Sequence, residues 1–193
     1  MFGLRFNEPA RRRFDRAALA ERKAVVVVHQ VAQIESDYAL IIGDSIVERL
    51  WMDKLCGLPV VTAGVSGSTL AELEPLLMKI RSIRSPRIII LAAGINSFRL
   101  RKNCNLRDWE ATLRSAIQTL GKVHAIVELI ESDEVVIEAV KAANEILRSE
   151  TERNGIALVS AIPHELTIDG VHPNDKGYVL WRRRLEQALA DRV

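Results

Sequence analysis

The stretch ALIIGDSIVERL, residues 39–50, runs from four apolar residues into Gly43-Asp44-Ser45 and out into an amphipathic segment. An apolar run closed by a glycine reads as a strand buried on both faces. The serine that follows is a favoured helix N-cap. It is also a hydroxyl delivered to the carboxyl end of a buried strand, where open α/β sheets gather their ligands. What the other strand ends carry decides between these two readings.

Working outward, five apolar runs recur at residues 38–42, 60–63, 87–93, 123–129 and 156–160. Helical spacing fills the gaps: Leu70, Leu73, Leu77 and Ile80, then Trp109, Leu113, Ile117 and Leu120, then Val136, Val140, Ala143 and Leu147, with Gly155 placed to stop the last helix. Terminal helices are expected over about 8–33, with a break, and about 176–190. Alternating strands and helices imply right-handed crossovers and a parallel sheet covered on both sides. The expectation is a three-layer α/β/α sandwich with a five-stranded parallel sheet. Residues 1–37 form an N-terminal helical extension and 38–193 the main domain. The extension is expected either to pack on the domain or to mediate association into a homo-oligomer.

At 193 residues, 48% of them hydrophobic, the chain suits one sizeable core. No apolar run approaches the roughly 18 residues of a membrane span, and no signal peptide pattern opens the sequence. A cytoplasmic location is therefore expected. Cys56 and Cys104 make no CxxC pattern and read as reduced thiols. Residues 1–23 carry seven Lys and Arg against three acids, Arg11, Arg12 and Arg13 among them. Such an arm can meet an anionic partner or form the solvated face of a helix. Without aromatic interleaving or zinc spacing, nucleic-acid binding has no second support.

The polar and glycine-rich residues gather after the strands: Gly43-Asp44-Ser45, then 64–68 (GVSGS), then 94–97 (GINS), then 169–173 (DGVHP). Together they hold the parts of an acyl-transfer site. Ser45 needs a base to take its proton, and His172 suits that role. Asp169, three residues earlier, can fix the ring's tautomer and stabilise the imidazolium. A backbone N–H on a residue without a side chain, such as Gly64, and a side-chain amide, such as Asn96, can hold the oxyanion.

This ordered set resembles the SGNH (GDSL-like) hydrolase superfamily over about residues 38–178. Gly43-Asp44-Ser45 matches the first block, Gly64 the glycine of the second, Gly94-Ile95-Asn96 the third, and Asp169 to His172 the last. The resemblance implies a flavodoxin-like fold and a catalytic triad of Ser45, His172 and Asp169. It also implies an oxyanion hole made by Ser45, Gly64 and Asn96, and no metal or organic cofactor. One position departs: Ser97 stands where many members have Asp. The implied activity is hydrolysis of a small-molecule or glycan ester through an acyl-enzyme on Ser45, with a short acyl group such as acetyl on a carbohydrate or other small alcohol. Transfer of the acyl group to another acceptor, and a catalytically silent domain binding an anionic partner, are the alternatives.

Other residues have plainer readings. Ser66 is a rival nucleophile, because residues 64–68 are one glycine short of a nucleophile elbow. The same loop could cradle phosphate but lacks the lysine of a P-loop. His124 reads as a core histidine, His29 as part of a helix face, and His164 as a loop residue on the cleft or the surface. Trp51, Trp109 and Trp181 read as packing residues on helices, and Arg182 to Arg184 as a solvated helix face.

Overall fold

The computed structural model describes residues 15–100 and 104–190. Among these, the chain order is α1 (Arg16–Ala32), β1 (Ala39–Gly43), α2 (Ser45–Glu48), β2 (Lys54–Leu55), β3 (Leu58–Gly64), α3 (Glu74–Ile80), β4 (Ile88–Ala92), α4 (Leu106–Leu120), β5 (Ala125–Val127), α5 (Ile137–Asn154), β6 (Ala157–Val159) and α6 (Asp175–Leu189). The strands form one sheet in the order β2-β3-β1-β4-β5-β6.

The five expected strands are present and mutually parallel. The sheet has six strands rather than five, because β2 pairs antiparallel with β3 at its edge. Cys56 and Gly57 link the two with φ of 49° and 79°, the backbone signs of a two-residue hairpin turn. A two-residue strand is too short to show a period in the sequence, yet it shields the edge of β3.

Alternation along each strand divides the core into two. Leu40 and Ile42 of β1, Ile89 and Leu91 of β4 and Ile126 of β5 face a layer built from α1, α3, α4 and α5. Ala39, Ile41, Ile88, Ile90 and Val159 face α2 and α6. The expected three-layer α/β/α sandwich follows directly from strands that bury both faces. The chain moves from β1 to β3 on one side and then to β4 on the other. The order of strands therefore reverses around β1, and the carboxyl ends of β1 and β4 flank the crevice this creates.

Asp15 caps α1 by accepting from the Ala18 N–H at 3.2 Å. Ala20, Ala24, Val27 and Val31 then recur on one buried face and share an apolar core with Leu73, Leu76 and Leu77. Each buried valine contributes roughly 1.5–3 kcal/mol. The first part of the expected 8–33 helix, and Arg11 to Arg13, lie outside the described residues. Val136 departs from its expected stripe: it precedes α5 and is 40% exposed, while Val140, Ala143 and Leu147 are buried. No described helix is long and apolar enough to cross a membrane.

Candidate active site

Ser45 is the first residue of α2, immediately past the carboxyl end of β1, and is 7% exposed. Its position depends on Gly43. A Cβ there would stand 2.2 Å from the Ala92 carbonyl oxygen and 2.4 Å from Val47 Cγ2, so only glycine lets β1, β4 and α2 converge. Asp44, buried at 1% exposure, caps the helix by accepting from the Ile46 N–H at 3.1 Å. The helix-cap reading of the sequence thus falls to Asp44, which leaves the Ser45 hydroxyl for another partner.

That partner is His172. Its Nε2 lies 2.8 Å from Ser45 Oγ, and its Nδ1 lies 2.7 Å from Asp169 Oδ2. The Asp-x-x-His spacing closes one tight turn. Asp169 Oδ1 accepts from the His172 N–H at 2.9 Å and the Val171 N–H at 3.2 Å, while Oδ2 faces the ring. The turn is held in turn by its surroundings: Ile168 N–H donates to the His172 carbonyl at 2.8 Å, and Asn174 Oδ1 caps α6 through the Gly177 N–H. Tyr178, one turn into α6, donates its hydroxyl to the Ile46 carbonyl at 2.8 Å and so ties the histidine segment to the serine segment.

The electrostatics separate the two aspartates. Burial raises the Asp169 pKa, but hydrogen bonds from the His172 backbone and ring and from Val171 outweigh it and bring the carboxyl down to about 2. An ionised Asp169 accepts from Nδ1–H, which leaves Nε2 free to accept from the serine hydroxyl. Asp44 goes the other way: burial pushes it up to about 6, against the pull of the Ile46, Gly94 and Asp44 N–H groups and of Arg99.

Asn96 lies on a 3-10 turn, Ile95–Ser97, at the end of β4, and one of its two amide hydrogens goes to the Ser68 carbonyl at 3.0 Å. The second remains available for another acceptor. Gly64 is placed differently from the expectation. A Cβ on it would meet Glu48 N at 2.1 Å, so its bare face is consumed by the packing of β3 on α2. Val65 N–H donates to the Gly43 carbonyl at 3.0 Å. Since successive N–H groups along a strand point to opposite edges, the Gly64 N–H faces away from β1. Gly67, three residues on, turns the loop with φ of 70°. It precedes the residue whose carbonyl meets Asn96. Sequence reasoning passed over it; the signal was a second glycine in a loop already committed to a turn.

The remaining candidates resolve simply. Ser66 is exposed, and no described histidine hydrogen-bonds to it. Ser68 is fully buried and donates to the Val65 carbonyl at 2.7 Å. Ser97 is buried beside Cys104, where its hydroxyl partly offsets the upward push of burial on the thiol. His124 is a core residue whose Nδ1 accepts from the Ile89 N–H at 3.0 Å, and His164 is exposed beside Glu165. Trp109 and Trp181 are buried as expected. Trp51 is not: α2 ends at Glu48, and the indole stands 92% exposed in the following loop. Arg182 pairs with Glu186 on the surface, whereas Arg184 turns inward to the Ser160 and Ala161 carbonyls. Among the described residues, no group of three or more His, Cys, Asp or Glu side chains is arranged to hold a metal ion. A small apolar pocket with room for about 30 Å³ adjoins the site, lined by Ile46, Ala92, Val127, Ile162, Pro173 and Trp181 among others.

No family model matches the sequence, and no curated protein matches it. Solved structures do. A GDSL-like lipase from Bacteroides thetaiotaomicron superposes with a TM-score of 0.73 at 17% identity, over 92% of this chain and 100% of that one. A lipase/acylhydrolase from Enterococcus faecalis gives 0.67 at 18% identity, over 81% and 97%. An acetylxylan esterase from Geobacillus stearothermophilus gives 0.65 at 20% identity, over 80% and 94%. At these identities the likeness is one of fold, and the fold of this chain is that of the SGNH (GDSL-like) hydrolases.

Proposed function

We propose that the protein is a serine esterase. Ser45 attacks the ester carbonyl while His172 Nε2 takes its proton; Asp169 holds the ring in the productive tautomer and stabilises the imidazolium. The tetrahedral oxyanion is held by the Ser45 N–H, by the free hydrogen of Asn96 Nδ2 and by a glycine N–H of the loop after β3. For that third donor Gly67 is preferred to Gly64, whose N–H faces away from β1. His172 then returns the proton to the leaving alcohol, and water repeats the sequence on the acyl-enzyme.

The observation that carries this reading is the continuous hydrogen-bonded array from Ser45 Oγ through both ring nitrogens of His172 to Asp169. A short acyl group, acetyl for example, suits the small apolar pocket beside Ile46 and Pro173. The acetylxylan esterase among the structural neighbours makes a carbohydrate acetate the first alcohol component to try. Hydrolysis of p-nitrophenyl acetate, butyrate and octanoate, followed by acetate release from acetylated xylooligosaccharides, tests both parts. Activity that rises with chain length would count against the short-acyl assignment, and no activity toward any ester would count against the esterase reading.

A further inference from the structure

Arg16, the first residue of α1, reaches the loop that follows β3. A Cβ built on Gly67 would lie 3.0 Å from Arg16 Nε and 3.2 Å from Nη2, so the guanidinium lies against the bare backbone of that glycine. The loop is pinned at both ends to the segments that carry the site. Val65 N–H bonds the Gly43 carbonyl, two residues before Ser45, and the Ser68 carbonyl accepts from Asn96. Gly67 lies between these two anchors, and Arg16 is therefore a cation at the rim of the crevice.

Helix stability does not account for it. The amino end of a helix carries partial positive charge, which disfavours a cation there by a few tenths of a kcal/mol or more. The first turn of α1 contains no acid, and the carboxylate of Asp15 just before it accepts from the Ala18 N–H and forms no ion pair with Arg16. Among the described residues, no carboxylate forms an ion pair with Arg16. A planar, permanently charged fork left without a partner suits a carboxylate or phosphate.

We propose that Arg16 is a specificity-determining residue that recognises an anionic group on the ester substrate. The inference rests on the esterase reading of Ser45. It gives α1, which lies ahead of the catalytic blocks in the chain, a part in substrate choice. An anionic group on the acyl side and one on the alcohol side of the scissile bond share this chemistry, and the test distinguishes the two.

The full chain, Arg16→Ala and Arg16→Lys are compared on mono-p-nitrophenyl succinate (anion on the acyl side), 4-acetoxybenzoate (anion on the leaving group) and neutral p-nitrophenyl butyrate. Arg16→Ala is expected to lower kcat/KM for at least one anionic ester about tenfold more than for the neutral one, chiefly through KM, the size of one charge-assisted hydrogen bond. Arg16→Lys recovers part of the difference, and the difference shrinks as salt is raised from about 0.02 to about 0.5 M. Free succinate should inhibit butyrate hydrolysis by the parent more strongly than by Arg16→Ala. Equal losses on all three esters, or no loss on any, would overturn the assignment while leaving the esterase intact. A parent that hydrolyses none of the three removes the esterase reading itself, and this inference with it.

Discussion

Ser45 Oγ and His172 Nε2 stand 2.8 Å apart although 127 residues separate them in the chain. Two different pieces of local chemistry bring them there. Gly43 and the Asp44 cap deliver the serine at the end of β1, and the Asp169 turn delivers the histidine on the way into α6. The Tyr178 hydroxyl bonded to the Ile46 carbonyl spans the gap.

Asp169→Asn keeps the shape of the turn, because the amide oxygen can still accept from the Val171 and His172 N–H groups. It removes the charge that selects the Nδ1–H tautomer. Its kcat is expected to fall by roughly 10³–10⁴, far more than the modest fall in melting temperature that loss of the ionised carboxylate brings. A loss of less than tenfold in a steady-state assay would show that His172 does not depend on this carboxylate.

Asn96→Ala removes a donor proposed to act on the oxyanion. The expected loss is about 10²–10³ in kcat, with KM nearly unchanged. A change confined to KM would instead make Asn96 a ground-state contact.

Gly64 and Gly67 should separate packing from chemistry. Gly64→Ala places a methyl 2.1 Å from Glu48 N and is expected to cost about 1–3 kcal/mol or more by overpacking, read as a lower urea midpoint. Gly67→Ala strains a φ of 70° and presses on Arg16, so its main effect is expected on kcat per folded molecule. The reverse pattern would restore Gly64 as the oxyanion donor.

Asp44 predicts an unusual pH dependence. Its carboxyl keeps a proton up to about pH 6 when folded, against an ordinary value of 3.8. The folded state therefore binds the proton more tightly than the unfolded one, and stability falls as pH rises from about 4 to about 6. Asp169 has the opposite sign: lowered to about 2, it contributes stability above about pH 4 that is lost as pH falls toward 2. Urea midpoints of the parent and Asp44→Asn between pH 4 and 7 check the first effect. The variant should lack that downward slope, and identical slopes would rule out Asp44 as its source.

Much of this was legible in the sequence, for reasons that individual residues make plain. The run ending at Gly43 announces a strand because both of its faces are buried, and polar residues collect at strand ends because a parallel sheet places them on one edge. The Asp-x-x-His spacing is legible because one turn suffices to join the two. What escaped was set by tertiary contact. β2 exists through a two-residue hairpin turn. Trp51 looks like a core aromatic but follows a helix of only four residues. Gly64 looks like a free donor until α2 is seen pressed against it. The approach of Arg16 to Gly67 joins positions 51 residues apart and has no local sequence signal.

The most direct test of the account is to treat the folded protein with a fluorophosphonate and locate the adduct by peptide mass spectrometry, beside Ser45→Ala and Ser66→Ala. One adduct, on the peptide containing Ser45 and absent only from Ser45→Ala, is the predicted result. Labelling that survives Ser45→Ala, or an unlabelled parent that is demonstrably folded, would contradict it.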